Sequence, residues 1–241
     1  MDHTSSSSYC IECRLANFCL PYGLEASEIG QLAAIIKNKR PLQVGEFLYL
    51  QGDQCLSLFA IKSGSFRSYV SNSEGMEQII GFYLPGALMG LDSFQSGHFT
   101  CSTVALETSA VCVLPLNLLN ELCAQIPRLQ LQITRILGKE IAADHDKIIL
   151  LAHRSAQEKI ATFLLMLSLR YVALGFSDTQ FNLSMRRQDI ANFLGLTIET
   201  VSRQLTDLAK DGVVTIKQRD VQIKDLSLLK ALVGHCLPSI L

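Results

Sequence analysis

One long amphipathic helix constrains the fold of this 241-residue chain more than any other feature. The periodicity of apolar residues predicts a helix over residues 127–152, which separates an earlier part of the chain from a later one. One stripe of the helix advances by three and four residues in turn, the spacing with which a helix packs along a partner helix. It consists of Thr134, Leu137, Ile141, Asp144, Ile148 and Leu151. A neighbouring stripe allows packing on the helix's own domain as well; it consists of Leu129, Ile133 and Ile136.

The first stripe contains one carboxylate, Asp144. In a symmetric parallel pair it faces its own copy, and two carboxylates about 5 Å apart repel by roughly 3 kcal/mol at an effective dielectric constant near 20. We therefore interpret these residues as a dimerisation stripe (Leu137, Ile141, Asp144, Ile148 and Leu151) along which two copies pair only marginally. A second input can then shift the equilibrium between monomer and dimer. The alternative is a helix that packs in the core of a monomer, with Asp144 at its solvent-exposed edge.

Length and composition narrow the class of protein. A chain of this length suits two domains, and its hydrophobic content of 49% suffices for a core. No apolar run approaches the roughly 18 residues that cross a bilayer, and the first residues lack the features of an export signal. We therefore expect a cytoplasmic protein without a membrane segment. In that reducing compartment, the eight cysteines favour metal binding or redox sensing over a disulfide framework.

Three cysteines lie within ten residues near the start of the chain. Cys10, Cys13 and Cys19 form a Cys-x2-Cys-x5-Cys motif, and thiolates this close together can converge on one soft metal centre. A fourth ligand must then come from elsewhere, and spacing and composition do not choose among Cys55, Cys101, Cys112 and Cys123. Tetrahedral zinc and an iron–sulfur cluster both accept four thiolates, so the spacing leaves the metal open.

Glycines cut residues 42–115 into short strand-like runs, which is typical of an antiparallel sandwich or jelly roll. The runs cover residues 46–50, 58–61, 66–70, 78–84, 103–106 and 110–114. Short helices are predicted on either side of this region, over residues 25–39 and 116–125, and a further helix is predicted over residues 155–173.

A helix-turn-helix pattern follows near the end of the chain. Residues 186–194 and 198–210 are predicted helices, joined by Gly195-Leu196-Thr197, and residues 213–223 resemble a small hairpin wing. The first turns of the second helix present Glu199, Ser202 and Arg203 outward, where such helices meet base edges. Arg203 can donate to guanine, Glu199 can accept from cytosine, and Ser202 suits a base or phosphate. The alternative is a solvated helix face with a Glu199–Arg203 ion pair.

Together, these motifs make the chain resemble the cyclic AMP receptor protein superfamily, and within it the FNR-type oxygen-responsive regulators. The resemblance rests on the three-cysteine motif ending in Leu20-Pro21 and on residues 105–112, 138–151 and 195–203. It implies an α+β fold with an N-terminal antiparallel β jelly-roll sensor domain, a long dimerisation helix and a C-terminal winged helix-turn-helix domain. The implied boundaries are 1–22 for a cysteine-rich cluster-binding segment, 23–126 for the sensor, 127–152 for the helix and 153–241 for the DNA-binding domain.

The resemblance also implies a cofactor and a mechanism. It assigns a [4Fe–4S] cluster to Cys10, Cys13, Cys19 and Cys112, and leaves Cys55, Cys101, Cys123 and Cys236 as incidental thiols. The intact cluster favours a homodimer that binds an inverted repeat in double-stranded DNA under anaerobic conditions, and oxygen degrades the cluster and releases the DNA. RNA polymerase is an expected partner. The alternative is a regulator of the same fold with a structural Zn(Cys)4 site and a different signal.

The residues that characterise the cyclic-nucleotide branch of the superfamily are missing. That branch uses a glutamate for the ribose and an Arg-Ser pair for the phosphate, where this chain has Leu91 and Thr100-Cys101. A buried phosphate without its arginine is poorly compensated, so we expect no cyclic nucleotide. We also expect no enzyme, because the sequence contains neither a GxGxxG nor a Walker A loop.

Overall fold

The computed structural model describes residue 10 and residues 12–234. The chain divides between Gly138 and Lys139 into two compact units, and the division falls inside one continuous helix, Pro127–His153. The helix predicted over residues 127–152 is therefore confirmed. Among the described residues, none of the helices combines the length and the apolar character that crossing a bilayer requires.

The first unit is built on short antiparallel strands. They are β1 (Lys37–Asn38), β2 (Phe47–Tyr49), β3 (Ser57–Ser63), β4 (Phe66–Ser71), β5 (Glu77–Tyr83), β6 (Leu88–Met89), β7 (Ser102–Ala105) and β8 (Ala110–Pro115). In the described part of this unit they form two four-stranded sheets, in the orders β1-β8-β3-β6 and β2-β7-β4-β5. The predicted antiparallel β domain is confirmed, and the runs expected from sequence coincide with β2, β3, β4, β5, β7 and β8.

Aromatic and aliphatic side chains from both sheets share one core. The ring of Tyr49 on β2 stacks on Phe99, with centroids 3.8 Å apart, and on Phe59 of β3, with centroids 5.8 Å apart. Phe66 of β4 is fully buried in the same cluster. Burying a phenylalanine contributes about 1.5–3 kcal/mol, so this core holds the two sheets face to face.

Three helices complete the first unit: α1 (Ala26–Ile35), α2 (Leu116–Gln125) and the N-terminal part of α3 (Pro127–His153). Leu129 and Ile133 of α3 are 0% and 4% exposed and belong to the core cluster, so the predicted own-domain stripe is confirmed. The prediction of a helix over residues 25–39 is wrong at its end. α1 stops at Ile35, because Lys37–Asn38 pair with β8 instead.

The second unit contains the remainder of α3 and a winged helix-turn-helix. Its further elements are α4 (Ala156–Ala173), β9 (Gln180–Asn182), α5 (Arg187–Leu194), α6 (Ile198–Lys210), β10 (Val214–Lys217), β11 (Asp220–Ile223) and α7 (Leu226–Val233). Gly195 has φ +62 and ends α5, so the chain can turn sharply into α6. The predicted hairpin wing is confirmed, and β9 adds an unpredicted third strand in the order β10-β11-β9.

Candidate metal centre and DNA interface

The cysteine-rich segment is coiled by local backbone hydrogen bonds. The amide of Cys13 donates to the carbonyl of Cys10 at 3.4 Å, and the amide of Ala16 donates to the carbonyl of Cys13 at 3.0 Å. A short 3-10 helix, Ala16–Phe18, then leads to Cys19. Because these turns shorten the path between cysteines, the three thiols stay in one region.

Cys112 approaches this region from the sheet. It lies on β8 between β1 and β3, opposite Asn38 on one side and Ala60 on the other. A cavity of about 60 Å³ is lined by all four predicted ligands, Cys10, Cys13, Cys19 and Cys112. Its remaining lining is mostly apolar and comes from residues such as Leu20, Leu32, Ile61 and Leu114, together with Lys62 and Asn38. The fold thus brings the four predicted ligands to one place.

The surroundings of these thiols disfavour the thiolate form. Burial, and then the neighbouring Cys112 and Cys13, raise the pKa of Cys10 to about 11. Burial is also the largest effect on Cys19, whose pKa is raised to about 12. Burial raises the pKa of Cys112, while the cation of Lys62 acts in the opposite direction. These thiols are therefore protonated at neutral pH unless a metal displaces the protons, which couples metal binding to proton release.

The donor set fits a soft metal centre. Thiolates in an apolar cavity are the ligands of iron–sulfur clusters and of structural zinc. In the part of the chain that the structure describes, no three His, Cys, Asp or Glu side chains are gathered around a point as a single metal ion requires. The four thiols thus suit a soft metal in their chemistry and share one cavity, but the described side chains are not arranged as a preformed site for one ion.

The other described cysteines do not line this cavity. Cys55, Cys101 and Cys123 are buried elsewhere in the first unit, and the thiol of Cys55 donates to the carbonyl of Ser57 at 3.3 Å. Such contacts are typical of small buried thiols. Cys236 lies outside the described residues.

The predicted base-reading side chains lie at the start of α6. The Thr197 hydroxyl accepts a hydrogen bond from the amide of Thr200 at 3.2 Å, so Thr197 is the N-cap of α6. Glu199 and Arg203 are exposed, and no ion pair joins them within the described residues. A hydrogen bond from its own backbone amide, and a second from Thr197, hold the pKa of Glu199 below its usual range. Glu199 is thus an ionised acceptor at neutral pH.

Ser202 has a partner that sequence reasoning missed. Its hydroxyl oxygen accepts a hydrogen bond from Nη1 of Arg187, the first residue of α5, at 3.2 Å. This contact leaves the hydroxyl proton of Ser202 free to donate. The Arg186-Arg187 pair at the start of α5 was the available signal in the sequence.

The dimerisation stripe is partly open on α3. Ile141 and Ile148 are 56% and 63% exposed, unlike Leu137, which packs against the core of the first unit. Asp144 is exposed, and its carboxylate lies 2.6 Å from Nζ of Lys147. Sequence reasoning missed this Lys147 partner, which offsets part of the charge of Asp144. Pairing of the stripe with a second copy stays a prediction.

Two family models match the chain. A model described as a cyclic nucleotide-binding domain matches residues 39–126, and a Crp-like helix-turn-helix domain model matches residues 158–232. The Fumarate and nitrate reduction regulatory protein of Salmonella typhimurium is 42% identical over 94% of this chain and 91% of its own length. The protein of the same name from Escherichia coli K12 is 41% identical over the same shares.

A solved structure shows the same architecture. FixK2 from Bradyrhizobium japonicum superposes with a TM-score of 0.76 and 25% identity, covering 84% of this chain and 99% of its own.

Proposed function

Because this chain belongs to the Crp/FNR family of DNA-binding transcription regulators, we propose that it is an oxygen-sensing member in which Cys10, Cys13, Cys19 and Cys112 hold a [4Fe–4S] cluster. The observation that carries the proposal is the single apolar cavity lined by these four cysteines. The relatives named for fumarate and nitrate reduction support it, since they match 94% of the chain. When bound, the cluster supplies an oxygen-labile link between the coiled cysteine segment and β8.

The protein's own residues make that link useful in two ways. The apolar lining around Leu20, Leu32 and Leu114 excludes water, so charge on the ligands is weakly screened there. The raised pKa values of Cys10 and Cys19 mean that these thiols take up protons when they lose the metal. Once protonated, they are no longer metal ligands, so the bond from the segment to β8 through the cluster is lost.

We propose that the second unit of two copies reads an inverted repeat. Glu199, Ser202 and Arg203 are exposed or half-buried at the start of α6, which is where a helix-turn-helix presents its base contacts. The dimerisation stripe of α3 supplies the pairing surface. The functional division into residues 1–22, 23–126, 127–152 and 153–241 remains part of this proposal, as does RNA polymerase as a partner; the turn at residues 71–75 is a candidate contact.

We propose further that the β domain takes no cyclic nucleotide, although the matching model carries that description. At the place that the resemblance assigns to the phosphate-binding pair, the carboxylate of Asp92 accepts hydrogen bonds from the amide and the hydroxyl of Thr100, at 2.8 and 2.5 Å. Cys101 beside it is 4% exposed. A carboxylate repels a phosphate at this position, and Thr100 offers no cation to compensate it.

The alternative is a regulator of the same fold with a structural Zn(Cys)4 site. An iron and acid-labile sulfide assay on protein purified without oxygen separates the two. We expect about four of each per chain and a visible band that bleaches in air. Cys112→Ser should abolish the band, whereas Cys101→Ser, a buried cysteine outside the cavity, should keep it. Zinc with a silent visible spectrum would contradict the proposal.

A further inference from the structure

A polar stripe on α3 contacts the cysteine-rich segment and the start of α1. Its members, Arg128, Gln132 and Arg135, are spaced by four and three residues and therefore lie on one face of the helix. Nη1 of Arg128 lies 2.5 Å from Oε1 of Glu25. Nη1 of Arg135 lies 3.9 Å from the position that a Cβ would take at Gly23.

Gln132 lies between these two contacts and reaches a proposed ligand. Its Nε2 donates to the backbone carbonyl of Cys19 at 3.2 Å. Gln132 is 6% exposed, whereas Arg128 is exposed, so this contact is the one that is shielded from water. A shielded hydrogen bond is stronger than an exposed one, because water does not compete for it.

The other end of the Gln132 carboxamide is unusual. Its Oε1 is buried and accepts no hydrogen bond from any residue that the structure describes. Leu129 and Ile133, its neighbours on the helix, are fully or almost fully buried. An apolar side chain would suit this environment better, since a buried acceptor without a donor is destabilising. The bond to Cys19 is therefore the described hydrogen bond that offsets the burial of this carboxamide.

We propose that Gln132 is the positioning residue that couples the cluster-binding segment to the dimerisation helix. The inference rests on the proposed function, because it assigns the state of Cys19 as the signal. With the cluster bound, Cys19 is fixed at its thiolate and, through its carbonyl, to α3. When the thiolate is released, the carbonyl bond still joins the described part of this segment to the helix that carries the dimerisation stripe.

The test compares Gln132→Met with Gln130→Met, an exposed glutamine of the same helix. Methionine keeps the length of the side chain and removes its donor. Monomer–dimer constants are measured by sedimentation on anaerobic protein and on the same protein after exposure to air, with iron content determined in parallel. We expect the constant of wild type and of Gln130→Met to change by about tenfold or more, and that of Gln132→Met by less than about threefold.

A second variant guards against a packing effect. Gln132→Leu replaces the carboxamide by an apolar group of different shape that also lacks a donor, so it should uncouple the two states in the same way. Both Gln132 variants should load about four iron atoms per chain. The apo form of Gln132→Met should unfold near the temperature of wild type, because removal of the unpaired acceptor offsets the lost bond to Cys19, whose carbonyl still accepts from the amide of Tyr22 at 3.3 Å.

The outcomes separate the two proposals. If wild type responds to air and both Gln132 variants respond equally, the coupling role is overturned and the oxygen-sensing function stands. If the Gln132 variants bind no iron, Gln132 serves cluster loading, and the coupling role is likewise overturned. If wild type itself contains no cluster or does not respond to air, the proposed function and the coupling role both fail.

Discussion

Functional residues of the two units have pKa values that are shifted in opposite directions. The thiols of Cys10 and Cys19 are raised in pKa by burial, so they need a metal to become thiolates. Glu199 at the start of α6 is held ionised by hydrogen bonds at a helix N-terminus. The first arrangement makes a site that depends on its cofactor. The second makes a charged surface that is ready to meet a base without rearrangement.

Arg203→Ala should weaken DNA binding and also relax the choice of base at one position. Removing a bidentate contact to guanine costs about 1–3 kcal/mol against the correct base and much less against the others. Competition binding with single-base variants of the half-site measures this selectivity. Lys210→Ala removes the same charge from the far end of α6 and should leave base preference unchanged. Uniform weakening on all sequences by Arg203→Ala would instead indicate a phosphate contact.

Glu140→Gln should stabilise the second unit at neutral pH. Burial holds the pKa of this carboxyl above its ordinary value, and the opposing attraction of Arg170 does not reverse that direction. A raised carboxyl pKa means that its contribution is favourable below the unfolded pKa and is lost as pH rises through the folded pKa. Thermal unfolding should therefore show a higher midpoint for Glu140→Gln at pH 7, and none of this advantage at about pH 4. An equal advantage at both values would contradict it.

Among the elements, α3 contains Gly138 at the division between the units, and a glycine inside a helix lowers the stability of that helix. A Cβ added there meets no atom within 4 Å, and its φ lies in the ordinary helical range. Gly138→Ala should therefore raise the free energy of unfolding by about 0.5–1 kcal/mol, since glycine loses more backbone entropy in a helix. Urea denaturation measures the change. The same substitution at Gly195, where φ is +62, should destabilise the protein; if both changes have one sign, the backbone argument fails.

The elements that sequence reasoning found are those with a periodic pattern of their own. The long helix, α6 and the longer strands of the first unit follow from apolar spacing and glycine turns. The two-residue strands β1 and β6 and the three-residue β9 are too short to show any alternation. They exist because a neighbouring strand supplies hydrogen-bond partners. For the same reason α1 ends early, at Ile35, where the backbone leaves to pair with β8.

The candidate sites divide in the same manner. The spacing of Cys10, Cys13 and Cys19 is enough to predict them as metal ligands. Cys112 lies far along the chain and could be named only through the resemblance to a known family. Its place beside the other three depends on the order of strands, which no local pattern reveals. The contacts of Gln132 and Arg187 could not be predicted from the sequence for a related reason. Each is an ordinary polar residue whose partner comes from another element.

For the whole molecule, the proposed pairing along α3 makes dimerisation depend on the dimerisation stripe. Asp144→Ala removes the repulsion between two carboxylates and should tighten the dimer by about tenfold, which corresponds to about 1.4 kcal/mol. This is less than the roughly 3 kcal/mol expected of two isolated charges, because Lys147 offsets part of the charge of each Asp144. DNA binding should then persist in air. Sedimentation of air-exposed protein measures the constant, with Glu121→Ala, at an exposed position of α2, as a control. An unchanged constant would contradict this role of Asp144.

The four proposed ligands belong to backbone of two different kinds, so one side of the candidate site is held by a sheet and the other by turns. Cys112 lies in the middle of a ladder between β1 and β3, while Cys10, Cys13 and Cys19 lie on turns and a 3-10 helix. Amide hydrogen exchange should thus be slow at Cys112 and orders of magnitude faster over residues 12–19, because ladders open far less often than turns. On the proposed function, a cluster lost to oxygen would be rebuilt without refolding of the sheet, because the short segment would return to a strand that has stayed in place.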